Sequence, residues 1–76
     1  MIQELKEMGL SQAMIARELK TTRQEVNQWF TGARTPSARS IKRLSVAMSE
    51  LTGKPVAPAD VYNLISAIVE RKEKEA

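Results

Sequence analysis

The 76-residue chain contains neither cysteine nor histidine. Without cysteine, no disulfide or zinc finger can staple the fold. Without histidine, the usual neutral-pH general base and the commonest metal ligand are both missing. Aromatic residues are scarce: one Trp, one Tyr and one Phe. No apolar run approaches the roughly 20 residues that cross a bilayer. No segment alternates apolar and polar residues with the period of two expected of a half-buried strand. No glycine-rich phosphate loop occurs, and Ser and Thr have no His to activate them. The N-terminal stretch MIQELKEMG lacks a basic region leading into an apolar one, so it does not read as a signal peptide. These absences argue against an enzyme, a secreted scaffold and a membrane protein. They fit an intracellular helical module without metal or cofactor.

What is present fits that module. Residues 1–76 are expected to form a single domain. A chain this short buries only about 60% of the surface its unfolded form exposes. One layered core is possible, with no room for a separate catalytic cleft. The apolar share of 42% and charged share of 28% suit a soluble globular protein. The net charge of +3 is unevenly spread. Residues 20–43 carry Lys20, Arg23, Arg34, Arg39, Lys42 and Arg43 against Glu25 alone, a net of +5. Residues 1–19 and 44–76 each carry a net of −1. A focused basic block is the footprint of a polyanionic partner.

Apolar spacing predicts five helices. A short first helix near 2–8 carries Ile2 and Leu5, and Gly9 stops it. Ser11 caps a second, near 11–19, with Ile15, Ala16 and Leu19 inward. Thr22 and Glu25 form a capping box that opens a third, near 22–31, with Val26, Trp29 and Phe30 on one face. Residues 31–36 form a loop marked by Gly32 and Pro36. Ser37 caps a fourth, near 37–52, with the stripe Ile41, Leu44, Met48 and Leu51. Pro58 starts a fifth, near 58–72, with Val61, Leu64, Ile65, Ile68 and Val69. The charged tail 71–76 should fray. Met48 reads as core, and Met8 and Met14 as partly buried filler. Trp29 reads as core rather than a base-stacking residue, because it shares a face with Val26.

The second and third helices are joined by only three or four residues. Such a link forces a sharp crossing, the helix-turn-helix arrangement. Small Ala16 permits close approach at the contact. The outward residues of the third helix are then Thr22, Arg23, Gln24, Asn27 and Gln28. Arg pairs with guanine O6 and N7, and Asn or Gln with adenine N6 and N7. A face of Arg, Gln, Asn and Gln is more than solubility requires.

Leu10-Ser11-Gln12, Ile15-Ala16, Val26, Trp29, Gly32, Pro36 and Ser37 stand in one register. Over residues 10–37 the chain resembles the Cro/C1-type helix-turn-helix of phage repressors and bacterial regulators. The resemblance implies an all-α, five-helix, lambda-repressor-like domain over about residues 1–69. It also implies sequence-specific binding of double-stranded DNA, usually as a transcriptional repressor in the bacterial cytoplasm. Three features depart from the family's pattern. Lys20 stands where glycine is frequent, Thr21 where an aliphatic residue is usual, and the first helix is short.

By the family's docking, the third helix enters the major groove with its N-terminal part nearest the bases. Thr22, Arg23, Gln24, Asn27 and Gln28 would then read bases. Gln12 matches a family glutamine that touches phosphate. Lys20, Arg34, Thr35, Ser37, Arg39 and Lys42 would hold the backbone; of Lys42 and Arg43, one can turn away or pair with Glu50 or the tail. The fifth helix either closes the monomer core or pairs with a second copy. The second option uses Val61, Tyr62, Ile65, Ile68 and Val69, in a homodimer that is weak or forms on DNA. The competing function is a protein-interaction module, such as an antitoxin or adaptor using the same fold.

Overall fold

A computed structural model describes residues 3–75, with side chains described for residues 3–71. Ile2 of the expected first helix, and the side chains of the 72–76 tail, lie outside the described residues. The elements are α1 (Gln3–Glu7), α2 (Gln12–Leu19), α3 (Arg23–Thr31), α4 (Ala38–Thr52) and α5 (Pro58–Glu75). Among the described residues the architecture is all-α.

Local chemistry sets the helix ends. The Ser11, Thr22 and Ser37 hydroxyls accept from the backbone N–H groups of Met14, Glu25 and Ser40, at 3.2, 3.1 and 3.1 Å. Each cap satisfies one orphan donor and contributes about 1 kcal/mol. The expected capping box is only half present. The Glu25 carboxylate does not reach back to the Thr22 N–H but accepts the hydroxyl proton of Thr21. Thr21 stands one turn before Glu25, which brings its O–H within reach of the carboxylate. The other half of such a box appears at α5, where Asp60 Oδ2 accepts from the Ala57 N–H at 3.0 Å.

α2 ends on Lys20, the one described non-glycine residue with positive φ, at 57°. The Lys20 N–H donates to Arg17 O at 3.2 Å and the Thr21 N–H to Ala16 O at 2.9 Å. These two bonds are those of a Schellman stop, which favours glycine at this position. A β-carbon in the left-handed region costs on the order of 1 kcal/mol. Lys20→Gly should therefore raise stability by about 0.5–1 kcal/mol. Urea unfolding checks this, and a midpoint that stays put or falls would show that Lys20 is unstrained. Arg43 secures the same helix end from outside, its Nη2 donating to Leu19 O at 2.9 Å.

α2 packs on α3 and α4, and α5 packs on the same two helices. The four form a ring round one core that includes Phe30, Leu44, Met48, Val61 and Ile68, all fully buried. Leu5 of α1 joins that core at 1% exposure. Ala16 of α2 is buried in the same core. Met8 and Met14 are exposed rather than partly buried filler; Met8 lies on the turn after α1, and Met14 on the solvent-facing side of the first turn of α2. The fifth helix runs past its expected end near 72. α5 stays helical to Glu75, and Arg71 Nη2 meets Glu4 Oε1 at 2.9 Å, tying the last helix to the first. A half-exposed pair of this kind contributes at most about 1 kcal/mol. No helix among the described residues is long and apolar enough to cross a membrane.

Candidate nucleic-acid interface

α3 has two unlike faces. Val26 and Phe30 are fully buried and Trp29 is 7% exposed. Arg23, Gln24 and Asn27 are exposed on the outer side, with Gln28 half-buried. Three locked core side chains make the outer side a rigid platform for the polar residues. Thr22 stands at the head of this platform, exposed, with its hydroxyl oxygen already accepting from the Glu25 N–H. Arg23 follows the cap, and the nearest acid in sequence, Glu25, is taken by Thr21. Helical spacing of four sets Arg23 beside Asn27 and Gln24 beside Gln28.

α2 contributes to the same surface. Gln12 Nε2 donates to Asn27 Oδ1 at 3.0 Å, across fifteen positions of sequence. The start of α2 therefore lies against the middle of α3. No sequence signal announces this contact, because it depends on the crossing of two helices.

The loop after α3 is tightly built. Gly32 has φ 82°, and a β-carbon there would sit 3.2 Å from Val69 Cγ1. Glycine is needed at this position for both backbone and space. The Arg34 N–H donates to Gln28 O at 3.2 Å and turns the chain toward α4.

The residues expected to hold phosphates fall into separate groups. Lys20, Arg39 and Lys42 line a shallow groove of about 550 Å³ between the end of α2 and α4. Arg34 and Thr35 line a second groove of about 290 Å³, beside Trp29, Tyr62 and Ile65. Gln12 lies apart from both, against Asn27. The Ser37 hydroxyl is engaged within α4, accepting from the Ser40 N–H and donating to Ser40 Oγ at 3.1 Å. Among the described residues, Lys20, Arg23, Arg34, Arg39 and Lys42 form no ion pair, so their charge faces solvent. Arg43 is instead a structural cation at the end of α2. The α2–α4 groove also holds Glu18 and Glu50. Hydrogen bonding between these carboxyls raises the Glu18 pKa above its ordinary value, and slight desolvation and charge repulsion add to it.

α5 does not offer the pairing face drawn for it from sequence. Val61 and Ile68 are fully buried in the monomer and Ile65 is 8% exposed. Their positions satisfy the core that α3 and α4 leave open, so they have no surface to give a second chain. Val69 is half-buried against Gly32. Of the five, only Tyr62 is exposed, at 62%.

A helix-turn-helix family model matches residues 1–51. No curated protein and no solved structure matches the chain. The matched segment contains α1 to α3 and nearly all of α4, and with them the crossed α2–α3 pair and its polar outer face. The chain therefore belongs to the Cro/C1-type helix-turn-helix family of DNA-binding transcription regulators.

Proposed function

We propose that the protein is a small repressor of the phage or bacterial kind, working in the cytoplasm, that binds double-stranded DNA sequence-specifically. α3 lies in the major groove. Thr22, Arg23, Gln24, Asn27 and Gln28 face base edges, with Arg23 suited to guanine O6 and N7 and Gln24 to adenine. Gln12, Lys20, Arg34, Thr35, Ser37, Arg39 and Lys42 attend to the phosphates. The observation that carries this reading is the outer face of α3. It sets one unpaired arginine beside three amides, on a helix whose inner face is locked in the core.

One recognition helix covers few base pairs. Two copies related by a twofold axis read half-sites about 34 Å apart, one helical turn. On this reading the protein acts as a homodimer that is weak or forms on DNA. With Val61, Ile65 and Ile68 inside the monomer, the surface left on α5 for a second copy centres on Tyr62. Tyrosine is enriched at interfaces.

The test is selection from a random duplex pool followed by sequencing of the retained DNA. An enriched palindrome with a fixed half-site spacing is expected. Retention without enrichment would reduce the protein to a nonspecific binder. No retention at low salt would move the function to protein–protein interaction. On the selected site, Gln24→Ala or Asn27→Ala should each cost about 1–3 kcal/mol and relax one base pair. Equal weakening on selected and random duplexes would remove that residue from base reading.

A further inference from the structure

We propose that the outer face of α4 is a self-complementary surface, on which a second copy of the chain docks antiparallel about a twofold axis at Val46. Lys42 of each copy then meets the partner's Glu50. Pairing of this kind covers Lys20, Arg39 and Lys42, so it holds the protein off DNA. The pairing stands on the α4 face alone; its effect on DNA rests on the reading of those cations as phosphate contacts.

α4 buries Ile41, Leu44, Ala47 and Met48 and turns Lys42, Val46 and Glu50 outward. These three stand four positions apart and form one ridge along the helix. Val46 is the midpoint of the ridge and is 53% exposed, an apolar side chain between two opposite charges. Lys42 and Glu50 are eight positions apart, about 12 Å along the helix. They form no ion pair with each other or with another described residue. A twofold axis perpendicular to α4 at Val46 exchanges the two ends of the ridge. Val46 then packs on its own copy, and a Lys42–Glu50 pair forms on either side. A surface that maps onto itself in this way is what a twofold interface requires.

The charges of α4 also run against its own dipole. Its first turn holds Arg39 and no acid, and its last turn holds Glu50 and no base. A helix by itself favours the reverse order. An antiparallel copy reverses the balance, because it brings basic residues to the negative end of α4. The groove beside the ridge repeats the pattern. Glu18 hydrogen-bonds Glu50 there, and neither has a cation partner among the described residues. Two crowded carboxyls are the electrostatic counterpart of the Lys20, Arg39 and Lys42 side chains that line the same groove. Arg43 takes no part, since its guanidinium is held by Leu19 O.

The test is sedimentation equilibrium at low salt. The ridge is small, so the natural protein should pass from monomer to dimer between about 10 μM and 1 mM. Lys42→Glu and Glu50→Lys each set like charges against each other, and each should weaken pairing by at least about tenfold. An equimolar mixture of the two variants should pair again, because one supplies two acids and the other two bases. The double variant Lys42→Glu/Glu50→Lys should pair within about threefold of the natural protein. Tyr62→Ala should leave this pairing unchanged. All of these residues are exposed, and thermal melts confirm that each variant is folded.

The effect on DNA is read with Val46→Cys, which places a single thiol in a chain without cysteine. Oxidation with diamide should join two copies at the axis. The joined dimer should bind a random duplex at least about tenfold more weakly than the reduced protein, and a reductant should restore binding.

A natural protein that stays monomeric up to about 1 mM would overturn the proposal. So would a mixture of the two charge variants that fails to pair, or a dimer lost in Tyr62→Ala and indifferent to the charge variants. An oxidised dimer that binds duplex as well as the reduced protein would overturn the masking. If the natural protein bound no duplex at all, the DNA reading would fall, and the charge variants would still decide the pairing.

Discussion

Trp29→Ala should destabilise the protein by about 3–5 kcal/mol. Trp29 is 7% exposed, and it lines a groove together with Ile41 of α4 and Tyr62 and Ile65 of α5. Removing it deletes the largest side chain of the core at the point where three helices meet. A domain of this length has a total stability of roughly 4–11 kcal/mol. The loss therefore takes a large fraction of the whole. Each kcal/mol lowers the melting temperature of a domain this size by roughly 4–8 °C, so the midpoint should fall by more than about 12 °C. Far-UV circular dichroism during a thermal scan reads it directly. Trp29→Phe keeps most of the buried ring and should lose much less. A melting temperature within about 2 °C of the natural protein for Trp29→Ala would place Trp29 outside the core.

Binding to duplex DNA should weaken by roughly 10³–10⁵-fold between about 50 and 200 mM salt when two protomers are engaged. Lys20, Arg34, Arg39 and Lys42 give four candidate phosphate cations per chain, none in an ion pair among the described residues. Each phosphate neutralised adds about −0.9 to the slope of log affinity against log salt. A single chain on DNA would lose only about 10²-fold over the same range. The slope from fluorescence anisotropy thus counts chains as well as contacts. Replacing any one of these cations should flatten the slope by about one per chain without changing the preferred sequence. An affinity independent of salt would remove the basic block from DNA binding. Lys20→Gly gives a cross-check, because it should flatten the slope while making the protein more stable.

Much of this was legible in one dimension. The apolar stripes of α3 and α4 point inward where their spacing of three and four says they must, since Val26, Trp29, Phe30, Ile41, Leu44 and Met48 are all buried. The Ser11, Thr22 and Ser37 caps were equally readable, because a cap depends on residues three apart. The left-handed end of α2 at Lys20 has the same local origin. It was marked by a residue standing where the family often has glycine, and φ is 57° there. The outer face of α3 follows from the inner one, for a helix that buries one side must turn the other outward.

Contacts that span the chain were not legible. Gln12 meets Asn27 only because α2 crosses α3, and Arg43 reaches Leu19 only because α4 passes the end of α2. Glu25 had two donors within sequence reach, the Thr22 N–H and the Thr21 hydroxyl, and its carboxylate takes the hydroxyl. The apolar stripe of α5 had two destinations in sequence, the monomer core or a second chain. Its burial against α3 and α4 assigned Val61, Ile65 and Ile68 to the core, leaving Tyr62 outside. Periodicity, caps and turn residues act over a few positions, so the sequence by itself determined the five helices, their inward faces and the family. Pairing between distant helices is set by how their surfaces fit, so only the tertiary structure decided which polar groups are free and which already hold one another.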